Sequence, residues 1–176
     1  MGVLKVGLVG CGKIADANHM PEMLSLGKNA EVTAMFDTKK GKAEALAEKH
    51  KLKPKFCSSL DELLKSDVDA VIIATPNLYH YEQTLQCLNA GKHVLCEKPM
   101  ASNAYEVKQM IAASRQYGVT LMEAMKPTLT PNFQVLREAL PKAGVIRRYF
   151  ASYCQYSSRY DKFKEGIVLN AFKPEL

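Results

Sequence analysis

The sequence predicts an α/β domain built on a doubly wound parallel sheet, followed by the start of a second, α+β domain. Short apolar runs of strand length alternate with helical patterns, and the connections between them are short. The run at residues 70–74 is apolar without interruption, which is typical of a parallel strand covered by helices on both faces. A change of pattern near Val145 predicts the second domain.

The first strand ends in a glycine turn, within the segment KVGLVGCGKIA. Gly10 permits the tight turn, and Gly12 lets a ligand approach the backbone because it has no side chain. Ala15 is small enough for close packing of helix against strand. The following helix, residues 13–26, presents unpaired N–H groups and a positive dipole end to a pyrophosphate.

The remaining elements follow in order. We predict strands at residues 31–36, 55–57, 70–74, 92–96 and 119–124, and helices at residues 40–50, 61–65, 79–89, 103–117 and 130–140. The first helix is expected to break near Pro21. Asn103 and Glu106 have the spacing of a capping box. The last helix is expected to bury its large apolar residues, Phe133, Leu136 and Leu140.

The pattern beyond the last helix differs from the earlier short, buried strands. Residues 147–156 alternate without a helix on either side, which predicts a long antiparallel strand. One strand cannot form a sheet of its own. We therefore expect a dinucleotide-binding domain at residues 1–142, and at residues 143–176 only the truncated first strand and loop of a carboxyl-terminal substrate and oligomerisation domain.

Composition narrows the class of protein. The five cysteines are odd in number and widely separated, and no Cys/His pair has the spacing of a zinc site. This favours reduced thiols in a cytoplasmic protein, with no metal. No apolar run approaches the roughly 18 residues that span a bilayer, and the amino terminus does not resemble a signal peptide. We therefore expect no membrane partner.

The net charge is +6, and basic residues cluster between Lys39 and Lys55. The cluster is interpreted as a solvated helix face or as an attraction for an anionic dinucleotide. Nucleic-acid binding is disfavoured, because Glu44 and Glu48 interrupt the cluster and no aromatic residue is interleaved before Phe56.

The polar residues that could carry chemistry follow the predicted strands. Ligands of such sheets bind beyond the carboxyl ends of the strands. Four segments lie at those ends: residues 10–12, Asp37, residues 75–77 and residues 97–99. Their convergence predicts a binding crevice at this edge of the sheet.

Asp37 follows the second strand, where a carboxylate accepts both ribose hydroxyls of an adenosine. The alternative is a turn residue, since Asp is common in turns. A 2′-phosphate would be repelled by Asp37, which favours NAD. Lys39 and Lys40 could pair with that phosphate, so NADP stays open.

Two further residues have competing interpretations. Lys98, between Glu97 and Pro99, directs a cation into the crevice, whereas a surface salt bridge there would contribute only about 0–1 kcal/mol. His80 is either a surface residue at a helix start or a ligand contact.

The segments GCGKIA, TPN with its following His80, and GKHVLCEKP together resemble the Gfo/Idh/MocA oxidoreductases. The resemblance covers about residues 3–140, and MEAMKP is most similar to the dihydrodiol-dehydrogenase branch. It implies a Rossmann dinucleotide-binding fold and hydride transfer between NAD or NADP and a sugar, polyol or dihydrodiol-type alcohol. It also implies a homo-oligomer in the full-length form.

The resemblance further implies roles for individual residues. The glycine turn would contact the pyrophosphate, Asp37 the adenosine ribose, residues 74–80 the nicotinamide half, and Glu97 the nicotinamide ribose. Lys98 would be catalytic, polarising the substrate oxygen, and the Lys98–Pro99 peptide is a candidate for cis geometry. The complete cofactor-binding set is Gly10, Cys11, Gly12, Lys13, Ile14, Asp37, Thr38, Ala74, Thr75, Pro76, Asn77, His80, Glu97 and Lys98.

One family feature has no counterpart in this sequence. The family's proton-transfer His or Tyr lies in a GG…DxGxxx(H/Y) segment, which nothing here matches. We therefore expect the chain to bind a dinucleotide and to turn over little substrate by itself. The alternatives are a non-catalytic NAD(P)-binding sensor or scaffold, which needs the glycines but not Lys98, and a methyltransferase, which would bind S-adenosylmethionine.

Overall fold

The computed structural model describes residues 2–152, 154, 161 and 164. These residues fall into two compact units, one over residues 2–124 and the other from Met125 onward. The domain boundary expected at residue 142 stays a prediction.

The first unit contains a six-stranded sheet in which every neighbouring pair is parallel. The strands are β1 (Leu4–Val9), β2 (Ala30–Phe36), β3 (Lys55–Phe56), β4 (Ala70–Ile73), β5 (His93–Cys96) and β6 (Leu121–Glu123). Their order in the sheet is β3-β2-β1-β4-β5-β6. The order reverses between β1 and β4, which confirms the predicted doubly wound, Rossmann-like fold.

The α-helices of this unit are α1 (Met20–Ser25), α2 (Lys42–Lys49), α3 (Leu60–Leu64), α4 (His80–Asn89) and α5 (Ala104–Tyr117). A π-helix, Ala15–His19, runs directly into α1. Its last bond, from Met20 N–H to Ala15 O, spans five residues instead of four. The interruption predicted near Pro21 is therefore a change from π-helix to α-helix, with Pro21 in the first turn of α1. A proline lacks the N–H and crowds the preceding turn, and the wider turn accommodates both effects.

The core has two parts, one on each face of the sheet. Leu8 and Ile72 pack into one cluster with Met20 and Leu46. Their chain neighbours Val9, Val71 and Ile73 pack into the other cluster. Adjacent strand residues point to opposite faces, so the uninterrupted apolar runs reflect burial on both sides.

The helix ends mostly follow the local sequence signals. The Asn103 side chain accepts the Glu106 N–H at 3.0 Å and so caps α5, as predicted. The Glu106 carboxylate accepts the N–H of Ser102 at 3.0 Å, one residue earlier than in a capping box. Gly118 ends α5 with a φ of +66°, which a glycine adopts at little cost.

The second unit contains α6 (Pro131–Ala139) between two short 3₁₀ helices, Lys126–Leu129 and Leu140–Ala143. The predicted burial of Phe133, Leu136 and Leu140 is wrong, since their exposed fractions are 39%, 52% and 44%. The described residues of this unit include no strand that could cover them.

The long strand predicted over residues 147–156 does not form in its described part, because residues 147–152 and 154 have no strand conformation. Residues 153, 155 and 156 lie outside the described residues. A strand needs a partner for its backbone groups, and the described residues of this unit supply none.

Throughout the described chain, no helix combines the length and apolar character required to cross a membrane.

Candidate functional site

The carboxyl ends of the four central strands form one aligned row. Val9 pairs with Phe36 on one side and with Ile73 on the other, and Ile73 pairs with Cys96. The next residues along each strand are Gly10, Asp37, Ala74 and Glu97. The structure therefore brings together the four segments that the sequence placed at this edge.

Gly10 is required by the close approach of β1 and β4. Its φ is +89°, and a Cβ built on it would lie 2.7 Å from the backbone C and O of Ala74. Its N–H donates to Phe36 O at 2.9 Å, and Ala74 N–H donates to Val9 O at 2.8 Å. No larger residue fits this position without moving the backbone.

Gly12 shows the opposite situation. A Cβ built on it would meet no atom within 4 Å, so the space above this glycine is open. Lys13 and Ile14 follow in the first helical turn, where amide groups lack intrahelical acceptors, and both are exposed. Ala15 is fully buried beneath them, as its small size predicts. This arrangement fits a pyrophosphate lying over Gly12.

Asp37 connects the end of β2 with the glycine turn. Its Oδ2 accepts the Cys11 N–H and its Oδ1 accepts the Lys39 N–H, both at 2.8 Å. The carboxylate therefore acts as a turn residue, one of the two sequence interpretations. A carboxylate oxygen can accept more than one hydrogen bond, so after these two contacts Asp37 can still accept hydrogen bonds from ribose hydroxyls.

A cavity of about 250 Å³ opens beside Asp37. Thr38 and the basic pair Lys39 and Lys40 line it from the loop after β2. Phe56 and Ser58 line it from the end of β3 and the loop that follows. The cavity therefore lies at the carboxyl end of β2 and carries two lysine cations beside the Asp37 carboxylate.

The Cys11 side chain is buried. Burial and, to a lesser degree, the nearby Asp37 raise the pKa of its thiol to about 12. The thiol therefore stays protonated at neutral pH and is a poor nucleophile. Cys11 serves as a small turn residue whose N–H holds Asp37.

His80 is fully buried at the first position of α4, so the interpretation as a surface residue is wrong. Its Nδ1 lies 2.8 Å from Pro99 O and its Nε2 lies 2.9 Å from Thr75 O. A neutral imidazole donates from one of its nitrogens, and an imidazolium donates from both. The Thr75 hydroxyl in turn donates to Gln83 Oε1 at 2.7 Å. His80 thus joins the loop after β4 to the loop after β5.

Glu97 contacts a residue that the sequence interpretation missed. His19 Nε2 lies 2.9 Å from Glu97 Oε1, and the two side chains are only 9% and 12% exposed. No local signal in the sequence pairs His19 with Glu97, because the two residues are 78 positions apart. Glu97 N–H donates to Ile73 O at 2.9 Å, which fixes the start of the loop.

Lys98 is exposed at the edge of the crevice. The Lys98–Pro99 peptide is cis, which confirms the expectation from the family resemblance. Its backbone N–H lies 3.2 Å from Glu97 Oε2. Across the described residues, its ammonium group forms no hydrogen bond or ion pair, so the salt-bridge alternative is not realised there.

Comparison with known proteins gives one family. Residues 4–125 match the GFO_IDH_MocA profile, described as an oxidoreductase family with an NAD-binding Rossmann fold. The chain is 47% identical over 175 residues to a scyllo-inositol 2-dehydrogenase (NADP(+)) of Bacillus subtilis, covering 99% of this chain and 52% of the relative. It is 41% identical over 145 residues to a mouse trans-1,2-dihydrobenzene-1,2-diol dehydrogenase, covering 81% of this chain and 43% of the relative.

A solved structure agrees with these relatives. The WlbA dehydrogenase of Chromobacterium violaceum, in complex with NADH and UDP-GlcNAcA, superposes with a TM-score of 0.74 at 29% identity. The match covers 81% of this chain and 41% of that structure. The chain thus spans about half the length of the curated relatives it matches.

Proposed function

The chain belongs to the Gfo/Idh/MocA family of oxidoreductases with an NAD-binding Rossmann fold, and from this membership we propose that it is the nucleotide-binding part of an NAD(P)-dependent dehydrogenase. The substrate class is a sugar, polyol or dihydrodiol-type alcohol. Two relatives, an inositol dehydrogenase and a dihydrodiol dehydrogenase, support this class.

The observation that carries the proposal is the contrast between the two glycines of the turn. Gly10 is packed against the backbone of Ala74, whereas Gly12 faces open space at the start of a helix. The first brings the strand ends together, and the second leaves the helix amides accessible to phosphate oxygens. With Asp37 at the end of the next strand, the edge fits a dinucleotide from its adenosine to its pyrophosphate.

In the reaction, a bound nicotinamide accepts or supplies the hydride. The contribution of this chain is to bind, orient and stabilise charge. Lys98 would place its ammonium beside the substrate oxygen, where it stabilises the negative charge that develops as the hydroxyl proton passes to a base. That oxygen becomes a carbonyl oxygen once the hydride has left the adjacent carbon. Glu97 would hold the nicotinamide ribose by accepting hydrogen bonds from its hydroxyl groups. The contact with His19 leaves lone pairs of the carboxylate oxygens available for these bonds.

The choice between NAD and NADP depends on the cavity beside Asp37. The carboxylate disfavours a 2′-phosphate, but two backbone N–H groups already compensate part of its charge. Lys39 and Lys40 line the same cavity and would pair with such a phosphate. We propose that the chain accepts NADP(H), with NAD(H) as the competing ligand.

Titration of the chain with NADH, NADPH and S-adenosylmethionine tests the proposed function. Calorimetry should give a dissociation constant below about 100 μM for NADPH or NADH, and no binding of S-adenosylmethionine. Binding of S-adenosylmethionine in place of the dinucleotides would indicate a methyltransferase. No binding of any of the three would refute the proposal.

Further properties belong to the same proposal. The five cysteines are free thiols, which supports a cytoplasmic location. We also propose a small-molecule substrate and a homo-oligomeric full-length form, as the family resemblance implies.

A further inference from the structure

Two buried histidines contact the segment 97–99 from two different elements. His19 lies at the end of the π-helix that follows the glycine turn, and its side chain contacts Glu97. His80 begins α4, and its side chain contacts Pro99. Lys98 lies between the two contacted residues.

The contact of His19 fixes the orientation of Glu97. The two atoms lie 2.9 Å apart, in a site where both side chains are about nine-tenths buried. The other carboxylate oxygen of Glu97, Oε2, accepts the Lys98 N–H at 3.2 Å. A side chain at position 19 that cannot donate would leave a buried carboxylate without this partner, at a cost in free energy.

The contact of His80 fixes the other end of the segment. Its ring lies between two backbone carbonyl oxygens, at 2.8 Å from Pro99 O and 2.9 Å from Thr75 O. The ring is fully buried between these two loops. The loops after β4 and β5 are therefore held at a separation set by one imidazole.

We propose that His19 and His80 are positioning residues that hold the 97–99 segment, and with it Lys98, against the nicotinamide half of a bound dinucleotide. This inference rests on the proposed function. The Lys98 side chain forms no polar contact with the described residues, so its position depends on its backbone. The two histidines hold the side chain of Glu97 and the carbonyl of Pro99, in addition to the bond from Glu97 N–H to Ile73 O that fixes the start of the loop.

The test compares a dinucleotide with its counterpart that lacks nicotinamide. The pairs are NADPH with 2′-phospho-ADP-ribose, and NADH with ADP-ribose, measured by calorimetry on the same chain. His19→Leu should weaken dinucleotide binding about tenfold, the effect of losing one hydrogen bond to a charged group. Binding of the nicotinamide-free ligand should change less than about twofold, because Gly12 and Asp37 are unaffected.

Two further variants control for general structural damage. His19→Gln places an amide donor near the position of Nε2 and should restore dinucleotide binding to within about threefold of the original. His93→Leu removes a histidine at the amino end of β5, where its Nδ1 accepts the Thr120 N–H at 2.9 Å. His93→Leu should change the affinity for neither ligand, because position 93 lies at the opposite end of the strand from Glu97.

His80→Gln provides a second arm of the test. The glutamine amide is not expected to reach both the Pro99 and the Thr75 carbonyl oxygens. We therefore expect weaker binding of the dinucleotide and little change for the nicotinamide-free ligand. This side chain is fully buried, so folding is checked first by circular dichroism and thermal unfolding. If His80→Gln does not fold, the His19 variants decide the question alone.

The outcomes separate the two proposals. An equal loss for both ligands in His19→Leu, no loss for either, or failure of His19→Gln to restore binding would overturn the positioning role. If the unaltered chain bound neither ligand of either pair, the proposed function itself would fail.

Discussion

Replacing Gly12 with leucine should abolish dinucleotide binding without unfolding the chain. A Cβ at this position meets no atom within 4 Å, and the backbone is not in the left-handed region, so the side chain extends into open space. That space lies over the helix amides that would receive the pyrophosphate. We therefore expect a change in the unfolding temperature of less than about 2 °C, corresponding to about 0.5 kcal/mol.

The loss of affinity follows from the contacts that the leucine would block. Each hydrogen bond to a charged phosphate oxygen contributes about 1.5–3 kcal/mol. Losing two of them would weaken binding at least about hundredfold. Calorimetric titration with NADPH and NADH measures this loss, and thermal unfolding measured by circular dichroism confirms that the variant is folded.

Gly2→Leu is the matched control for this experiment. A Cβ at Gly2 also meets no atom within 4 Å, but this glycine precedes β1, at the opposite end of the strand from the crevice. It should leave both affinity and stability unchanged. If Gly12→Leu bound the dinucleotide within about threefold of the original chain, the pyrophosphate could not lie over Gly12, and the proposed site would be wrong.

Three other perturbations address neighbouring features. Gly10→Ala should lower the free energy of unfolding measured in urea by about 2–5 kcal/mol. A φ of +89° disfavours any residue with a Cβ, and that Cβ would also lie 2.7 Å from the Ala74 backbone. A loss below about 1 kcal/mol would contradict the close approach of β1 and β4. Replacing the lysines at positions 39 and 40 with alanine should weaken NADPH binding about tenfold and NADH binding less than twofold in calorimetry, since only NADPH has a 2′-phosphate. Equal losses for the two dinucleotides would show that these lysines do not pair with the 2′-phosphate. Hydrogen bonds from Ser58 and from the Lys55 side chain lower the pKa of Glu62 to about 2. This carboxylate therefore stabilises the fold above about pH 4.5 and loses that effect as the pH falls toward 2. The stability difference between the original chain and Glu62→Gln, measured by urea unfolding, should shrink over that range, and a difference independent of pH would refute this account.

Much of the fold could be predicted because it depends on local signals. Apolar runs identify strands that are buried on both faces, and the glycine turn marks where the first strand meets its helix. The same signals placed Gly10, Asp37 and Glu97 at one edge, since parallel strands share the direction in which they end. Neither their contacts nor their order in the sheet was needed for that prediction.

The errors arose where the outcome depends on distant partners. His80 stands at a helix start, a position that is often exposed, but it is buried and its ring contacts the carbonyl of Pro99 in another loop. His19 was not predicted as a site residue because its partner Glu97 is distant in the sequence. The strand expected over residues 147–156 has the right alternation, but a strand forms only when a neighbour pairs with its backbone.

The two outermost strands of the sheet are also its shortest. β3 has two residues and β6 has three, so each side of the sheet offers few unpaired amide and carbonyl groups. Short edges of this kind give another polypeptide little backbone to extend. Extension of this six-stranded sheet from one copy of the chain into the next is therefore disfavoured at both of its edges.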